Sequence, residues 1–294
     1  MPSSTPLIRP SITALLAAGG PLVLPGVYDA LSARLAHEAG SRAVFLSGFA
    51  MAATRLGRPD FGLLTQTEVL DTARAVCAAV PCPVIVDIDT GYGGVFNVER
   101  TVEALLQMGA AGCFLEDQEW PKRCGHMEGK RVVPLDEYLP KLRAALALRR
   151  GTTFHVTART DARAAVGLDE ALARARAFAD AGADAVFVEA PQSLDEMARV
   201  RAAVPASVPL VANMVEQGKT PLRPAAALAA AGYPIVVVPV AGVLAAAHAL
   251  RAVYGALQRD GASGAMAERM LGFAELNDLL GLAEYYRRES AWRQ

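Results

Sequence analysis

Two carboxylates spaced two residues apart, in Asp87-Ile88-Asp89, close an apolar run and so fall on one face of an extended segment. Glu116 closes the next apolar run and adds a third acid to the same small volume. Acids crowded in this way repel one another unless a cation joins them. Donors made only of oxygen suit a hard ion, Mg2+ or Mn2+, held partly through water. Asp89 alone has a second reading, as the cap of the turn Thr90-Gly91-Tyr92-Gly93. A different chemistry sits in Lys122-Arg123-Cys124-Gly125-His126. A cysteine flanked by two cations and a histidine is in a setting that lowers a thiol pKa and suits a nucleophile or a proton donor. Cys77, Cys82 and Cys113 lack such surroundings and read as packing residues, and His37, His155 and His248 read as structural.

Eight β-branched apolar runs could position these groups: Val23–Pro25, Ala43–Ser47, Val84–Asp89, Gly112–Glu116, Phe154–Arg159, Ala185–Glu189, Leu210–Asn213 and Ile235–Pro239. Ala-rich helical stretches alternate with them, as in a parallel sheet with helical crossovers. Ala39-Gly40, Met108-Gly109, Ala181-Gly182 and Ala231-Gly232 precede the second, fourth, sixth and eighth runs, where glycine can end a helix in the left-handed conformation. The runs close in Ser47, Asp87 and Asp89, Glu116 and Asp117, Arg159, Glu189 and Asn213. Polar groups at the same end of six strands converge in a (β/α)8 TIM-type barrel, where the loops after the strands build the active site. The chain reads as one such domain over residues 1–294. A doubly wound open sheet is the main alternative, but Pro25-Gly26-Val27-Tyr28-Asp29 matches a phosphate-binding loop poorly.

The composition, 53% hydrophobic and 20% charged with a net charge of -1, excludes disorder and offers no field for nucleic acid or an anionic membrane. Residues 224–250 carry no charge, yet Gly232-Tyr233-Pro234, Pro239 and Gly242 break them into a helix end, a strand and a second helix. The four cysteines have no zinc spacing and form no disulfide framework. With no secretion leader read at the N-terminus, a cytoplasmic location is expected.

At these residues the sequence resembles the isocitrate lyase/phosphoenolpyruvate mutase superfamily. The stretches that carry the resemblance are Leu24 to Ala30, Ser47-Gly48-Phe49, Asp87 to Gly93, Glu116-Asp117-Gln118, Lys122 to His126, Ala158 to Ala162 and Ala212-Asn213-Met214. The resemblance implies a barrel whose C-terminal helix, within 270–294, is swapped between subunits of a homotetramer. It implies Mg2+, with Mn2+ as a substitute, bound directly by Asp87 and through water by Asp60, Asp89 and Glu116. Ser47, Gly48, Arg159 and Asn213 would hold a substrate carboxylate, Glu189 would orient the acid, and Gly125 belongs with these contacts. Lys122, Arg123, Cys124 and His126 match the catalytic loop of the lyase branch, in which the cysteine protonates the departing fragment of a reverse-aldol cleavage.

Within the superfamily the chain is most similar to the 2-alkylmalate lyase, petal death protein and carboxyphosphonoenolpyruvate mutase-like group, through Trp120-Pro121 and Asn213 to Pro221. Leu244 and Phe273 stand where methylisocitrate lyases carry arginines for a third carboxylate. Losing such a charge-assisted pair costs about 2–5 kcal/mol, which argues against a tricarboxylate. The expected activity is Mg-dependent cleavage of a 2-alkylmalate to a 2-oxo acid and a carboxylate. Alternatives are oxaloacetate hydrolysis, methylisocitrate cleavage, carboxyphosphonoenolpyruvate mutation and, outside catalysis, a dicarboxylate sensor. Phe45 stands where many members have a tyrosine.

Overall fold

A computed structural model describes residues 9–293. It divides into two compact units, Met1–Val243 and Leu244–Gln294. In the first, eight parallel strands run β1 (Leu22–Val27), β2 (Val44–Leu46), β3 (Val84–Asp87), β4 (Gly112–Glu116), β5 (His155–Thr160), β6 (Ala185–Val188), β7 (Val211–Asn213) and β8 (Ile235–Val238). They are paired in the order β6-β5-β4-β3-β2-β1-β8-β7, and a parallel bridge from Val186 to Leu210 joins the two ends into a barrel. Every expected run is a strand. The uncharged stretch 224–250 resolves into helix Ala225–Ala230, β8 and the start of helix Ala241–Asp260. No helix of the described residues is long and apolar enough to cross a membrane.

The glycine stops work as the sequence implies: Gly40, Gly109, Gly182 and Gly232 have φ of 89°, 75°, 93° and 87°. Period-two alternation then sorts the strand residues. Leu22, Leu24, Ala43, Phe45, Ile85, Phe114, Phe187, Val211 and Val237 fill the barrel interior together with Ile12 of helix Ile12–Ala17. Val44, Leu46, Val84, Val86 and Val156 face outward, against Val69, Val76, Val102, Leu105 and Phe178 of the helices. Each such large apolar side chain contributes roughly 1.5–3 kcal/mol on burial. Gly26 is where β1 meets the end of β8 most closely; a Cβ there would lie 2.0 Å from the Pro239 carbonyl oxygen.

Three interior rings form a floor under the mouth. Phe45 and Phe114 lie 4.8 Å apart between centroids, and Phe114 and Phe187 lie 5.8 Å apart. Phe45 is thus a packing residue.

The second unit is helical. After the end of helix Ala241–Asp260 come a short 3-10 turn, Gly264–Arg269, and helices Phe273–Leu280 and Leu282–Trp292, separated by Gly281 at φ 81°. Phe273, Tyr285, Tyr286 and Trp292 are all exposed, Phe273 to 87%.

Candidate active site

Above the aromatic floor the interior turns polar. Asp87 and Glu116 are the last residues of β3 and β4, Asn213 ends β7, Arg159 lies near the end of β5, and Ser47 and Glu189 directly follow β2 and β6. All point to one mouth, and all but the partly exposed Asn213 are buried. Strand β3 stops at Asp87 instead of running through Asp89, which takes φ 49° in a turn closed by the Gly91 N–H donating to the Ile88 carbonyl at 2.8 Å. The two carboxylates nevertheless stay together, because the Asp89 N–H donates to Asp87 Oδ1 at 3.2 Å.

Lys122 reaches into this group. Its Nζ lies 2.6 Å from Asp60 Oδ1 and 2.7 Å from Asp89 Oδ1, and all three residues are buried. Burial pushes Asp89 up to about 7, against the pull of Lys122, and raises Asp87 and Glu116 as well. Four carboxylates (Asp60, Asp87, Asp89, Glu116) thus share two fixed cations, Lys122 and Arg159, leaving negative charge for a divalent ion to balance. A Cβ on Gly48 would sit 2.9 Å from Asp87 Oδ2, so the glycine leaves that carboxylate open on one side. Among the described residues no three His, Cys, Asp or Glu side chains are grouped so as to hold a metal ion by themselves. An oxygen-only, under-neutralised and open cluster fits Mg2+, which takes one or two carboxylates and completes its shell with water and substrate oxygens.

Arg159 is the second hub. Its Nε is 2.8 Å from Asp161 Oδ2 and 3.3 Å from Glu116 Oε2, its Nη2 is 3.1 Å from Glu189 Oε2, and its guanidinium lies 5.2 Å from the Phe187 ring centre. Against the effect of burial, Arg159 and His126 hold the Glu189 carboxyl well below its ordinary range. Asn213 turns Nδ2 to Glu189 at 3.2 Å, and its Oδ1 has no hydrogen-bond partner among the described residues. Ser47 caps the helix Gly48–Met51, its Oγ accepting from the Ala50 N–H at 3.3 Å.

Asp161 also binds Lys130 at 2.6 Å, and its N–H donates to Asp117 at 2.9 Å. Asp117 faces outward and pairs with Arg174 of helix Leu168–Asp180 at 2.9 Å, so this strand-end acid braces the barrel wall instead of lining the mouth. Period two already puts Asp117 on the face opposite Glu116; Lys130 left no comparable signal. Gln118 is a further support, with Nε2 donating to Glu116 Oε1 at 2.9 Å and to the Arg123 carbonyl at 2.8 Å.

The loop after β4 closes over the mouth. A Cβ on Gly125 would lie 2.3 Å from Glu189 Oε2, His126 Nε2 is 3.4 Å from Glu189 Oε1, and His126 Nδ1 accepts from the Lys219 N–H at 3.0 Å. The setting expected to lower the Cys124 pKa is not realised. Burial pushes the thiol up to about 11, with only partial relief from a backbone hydrogen bond. The flanking cations face elsewhere: Lys122 pairs with the acids, and Arg123 lies over the Phe61 ring at 5.4 Å and donates to the Glu128 carbonyl. Burial thus favours the protonated thiol, which suits the proton-donor reading better than the thiolate one. Burial also raises Cys77, Cys82 and Cys113, in keeping with their packing role.

A sequence profile for phosphoenolpyruvate phosphomutase matches residues 12–258. The chain belongs to this family, within the isocitrate lyase/phosphoenolpyruvate mutase superfamily. It is 44% identical to the petal death protein of Dianthus caryophyllus over 93% of this chain and 86% of that one. It is 42% identical to the 2,3-dimethylmalate lyase of Eubacterium barkeri, over 89% and 90% of the chains, and 42% identical to the 2-methylisocitrate lyase of Halalkalibacterium halodurans, over 90% and 86%. Among solved structures, oxaloacetate acetylhydrolase with 3,3-difluorooxalacetate superposes with a TM-score of 0.88 at 37% identity, covering 92% of each chain. Phosphonopyruvate hydrolase with oxalate and Mg2+ gives 0.85 at 30% identity, covering 96% of this chain and 97% of the other. The family member described here is an enzyme, and enzymes of its superfamily act on small carboxylates with a divalent metal.

Proposed function

We propose that this enzyme cleaves the C2–C3 bond of a 2-alkylmalate-type dicarboxylate to a 2-oxo acid and a monocarboxylate. The 2-hydroxyl proton passes to the carboxylate cluster, the C2–C3 bond breaks, a carbonyl forms at C2, and the electron pair moves onto C3 of the departing carboxylate. That carbon takes its proton from Cys124. Arg159, Asn213, Ser47 and the Gly48 amide bind substrate carboxylate, Glu189 fixes Arg159 and Asn213 in place, and the Gly125-His126 segment excludes water. Mg2+ at Asp87, with Asp60, Asp89 and Glu116 acting through water, supplies neutralising charge when bound. Phe45 takes no part in proton transfer.

The observation that supports this reading is the seating of the loop after β4, where the Cys124 N–H donates to the Asp60 carbonyl at 3.2 Å and Gly125 packs on Glu189. The alkyl preference rests on the helix Gly48–Met51 and the loop after β7. Ala50, Val240 and Val243 form a buried apolar cluster with Val215 packed against it. Leu244 and Phe273 likewise bring no charge for a third carboxylate. We also propose that the exposed aromatic residues of helices Phe273–Leu280 and Leu282–Trp292 pack on a partner subunit in a homotetramer, since apolar patches of this kind mark interaction surfaces.

The test is a product assay by mass spectrometry with Mg2+ on 2-methylmalate, 2,3-dimethylmalate, methylisocitrate and oxaloacetate. A 2-alkylmalate is expected to give a 2-oxo acid. Efficient succinate release from methylisocitrate, or oxalate from oxaloacetate alone, overturns the substrate assignment. The variant Cys124→Ala should lose turnover and keep Mg-dependent oxalate binding by calorimetry; lost oxalate affinity would contradict the separate roles of thiol and cluster.

A further inference from the structure

The loop after β7 starts at Asn213, which donates to Glu189, and reaches Lys219, which donates to His126 of the loop after β4. Two loops of the mouth thus meet through one imidazole. Between the two contacts the chain turns over residues 215–218, closed by the Gly218 N–H donating to the Val215 carbonyl at 3.0 Å. The third residue of this turn, Gln217, has φ 59°, where glycine or asparagine is usual. A glutamine held there is strained, and strain of this kind gathers at clamps and switches. The turn presents two features to the catalytic loop. Gly218 lays bare backbone against the His126 ring, since a Cβ there would lie 2.7 Å from both Nδ1 and Cε1. The Lys219 N–H then donates to Nδ1 at 3.0 Å. A third contact, the ion pair of Lys219 with Glu128, lies at the surface and contributes little.

An imidazole nitrogen that accepts a hydrogen bond carries no proton, so the neutral His126 ring is protonated on Nε2. That atom faces Glu189 Oε1 at 3.4 Å, and Glu189 in turn holds Arg159 and Asn213. We propose that residues 215–219 latch the catalytic loop, with Gly218 and Lys219 as positioning residues: the Lys219 N–H holds His126 in the Nε2–H tautomer and turns that proton toward Glu189. The inference rests on the reading that the Gly125-His126 segment closes over the substrate.

The tests need no substrate. Leucine and asparagine match in shape, and only asparagine puts an acceptor on Cγ, where His126 carries Nδ1. One hydrogen bond shifts an equilibrium roughly two- to tenfold. Trypsin cleavage after Arg123 follows the open population of the loop and should be roughly two- to tenfold faster in His126→Leu than in wild type. His126→Asn should restore most of the protection. Gly218→Ala, which displaces the ring, should behave as His126→Leu, and Glu128→Gln as wild type, with Tm unchanged throughout. The chain has four histidines, so 15N spectra at pH about 8 can assign His126 by its loss in the variants, and should show Nε2 protonated. Equal cleavage of the leucine and asparagine variants, or a His126 protonated on Nδ1, overturns the latch and leaves the proposed reaction standing. A wild type that shows both signatures yet cleaves no 2-alkylmalate supports the latch and overturns the reaction.

Discussion

His155 is the interior polar residue whose energetics are simplest to isolate. It is buried at the start of β5, and neither ring nitrogen, nor the Oγ1 of inward-facing Thr157, has a hydrogen-bond partner among the described residues. Burial first, and the charge of Arg149 second, lower its pKa from 6.5 to about 4. The folded state therefore binds fewer protons than the unfolded state between those values, and stability must fall as pH drops through that window. The lowered pKa corresponds to about 3 kcal/mol of stability in full, most of it lost between pH 7.5 and 4.5. Replacing His155 with leucine, of similar size and without a proton to gain, should remove that part of the acid sensitivity. Wild type and variant should diverge by about 2–3 kcal/mol over the interval, or roughly 5–10 °C in Tm, in favour of the variant. Urea unfolding at the two pH values measures the difference directly, and every other titrating group cancels between the proteins. Parallel pH profiles would refute the reasoning, because they would mean that the imidazole is solvated or paired in the folded barrel.

Two further outcomes follow from the mouth itself. Gly125→Ala should place a Cβ 2.3 Å from Glu189 Oε2, an atom that Arg159 and Asn213 hold in place, so the loop cannot seat. Its kcat/KM should fall about tenfold or more with Tm unchanged, and a normal rate would show that closure over Glu189 is not needed. Asp161→Asn removes the buried acid shared by Lys130 and Arg159 and should cost about 3–5 kcal/mol in urea unfolding. A loss below about 1 kcal/mol would show that the two cations have other compensation.

The barrel was legible because its signals are local and repeated. Each even-numbered strand follows a glycine that turns left-handed, and six of the eight short apolar strands are closed by a polar residue. Where the outcome differed, the decisive contacts are not local. Asp89 stays beside Asp87 because its backbone N–H donates to the Asp87 carboxylate, where alternation alone would have required the strand to continue. Lys130 and Asp161 are 31 residues apart, and nothing in the spacing of either indicates the other.

Cys124 shows why chain neighbours are a poor guide to a side chain's surroundings in a closed loop. Between Lys122 and His126 the backbone turns enough that Lys122 enters the acid cluster, Arg123 leaves it for Phe61, Gly125 lies on Glu189, and His126 meets the loop after β7. The cations that flank the thiol in sequence have already been taken by other partners. Around Cys124, burial and the negative charges of Asp60 and Glu189 outweigh the His126 backbone hydrogen bond and the charge of Arg159, and so favour the protonated form. Asp60, an acid of the cluster, is thus one of the two carboxylates that disfavour the thiolate. A loop rich in lysine and arginine can therefore carry a thiol whose surroundings favour its protonated form, the state that the proposed acid role requires.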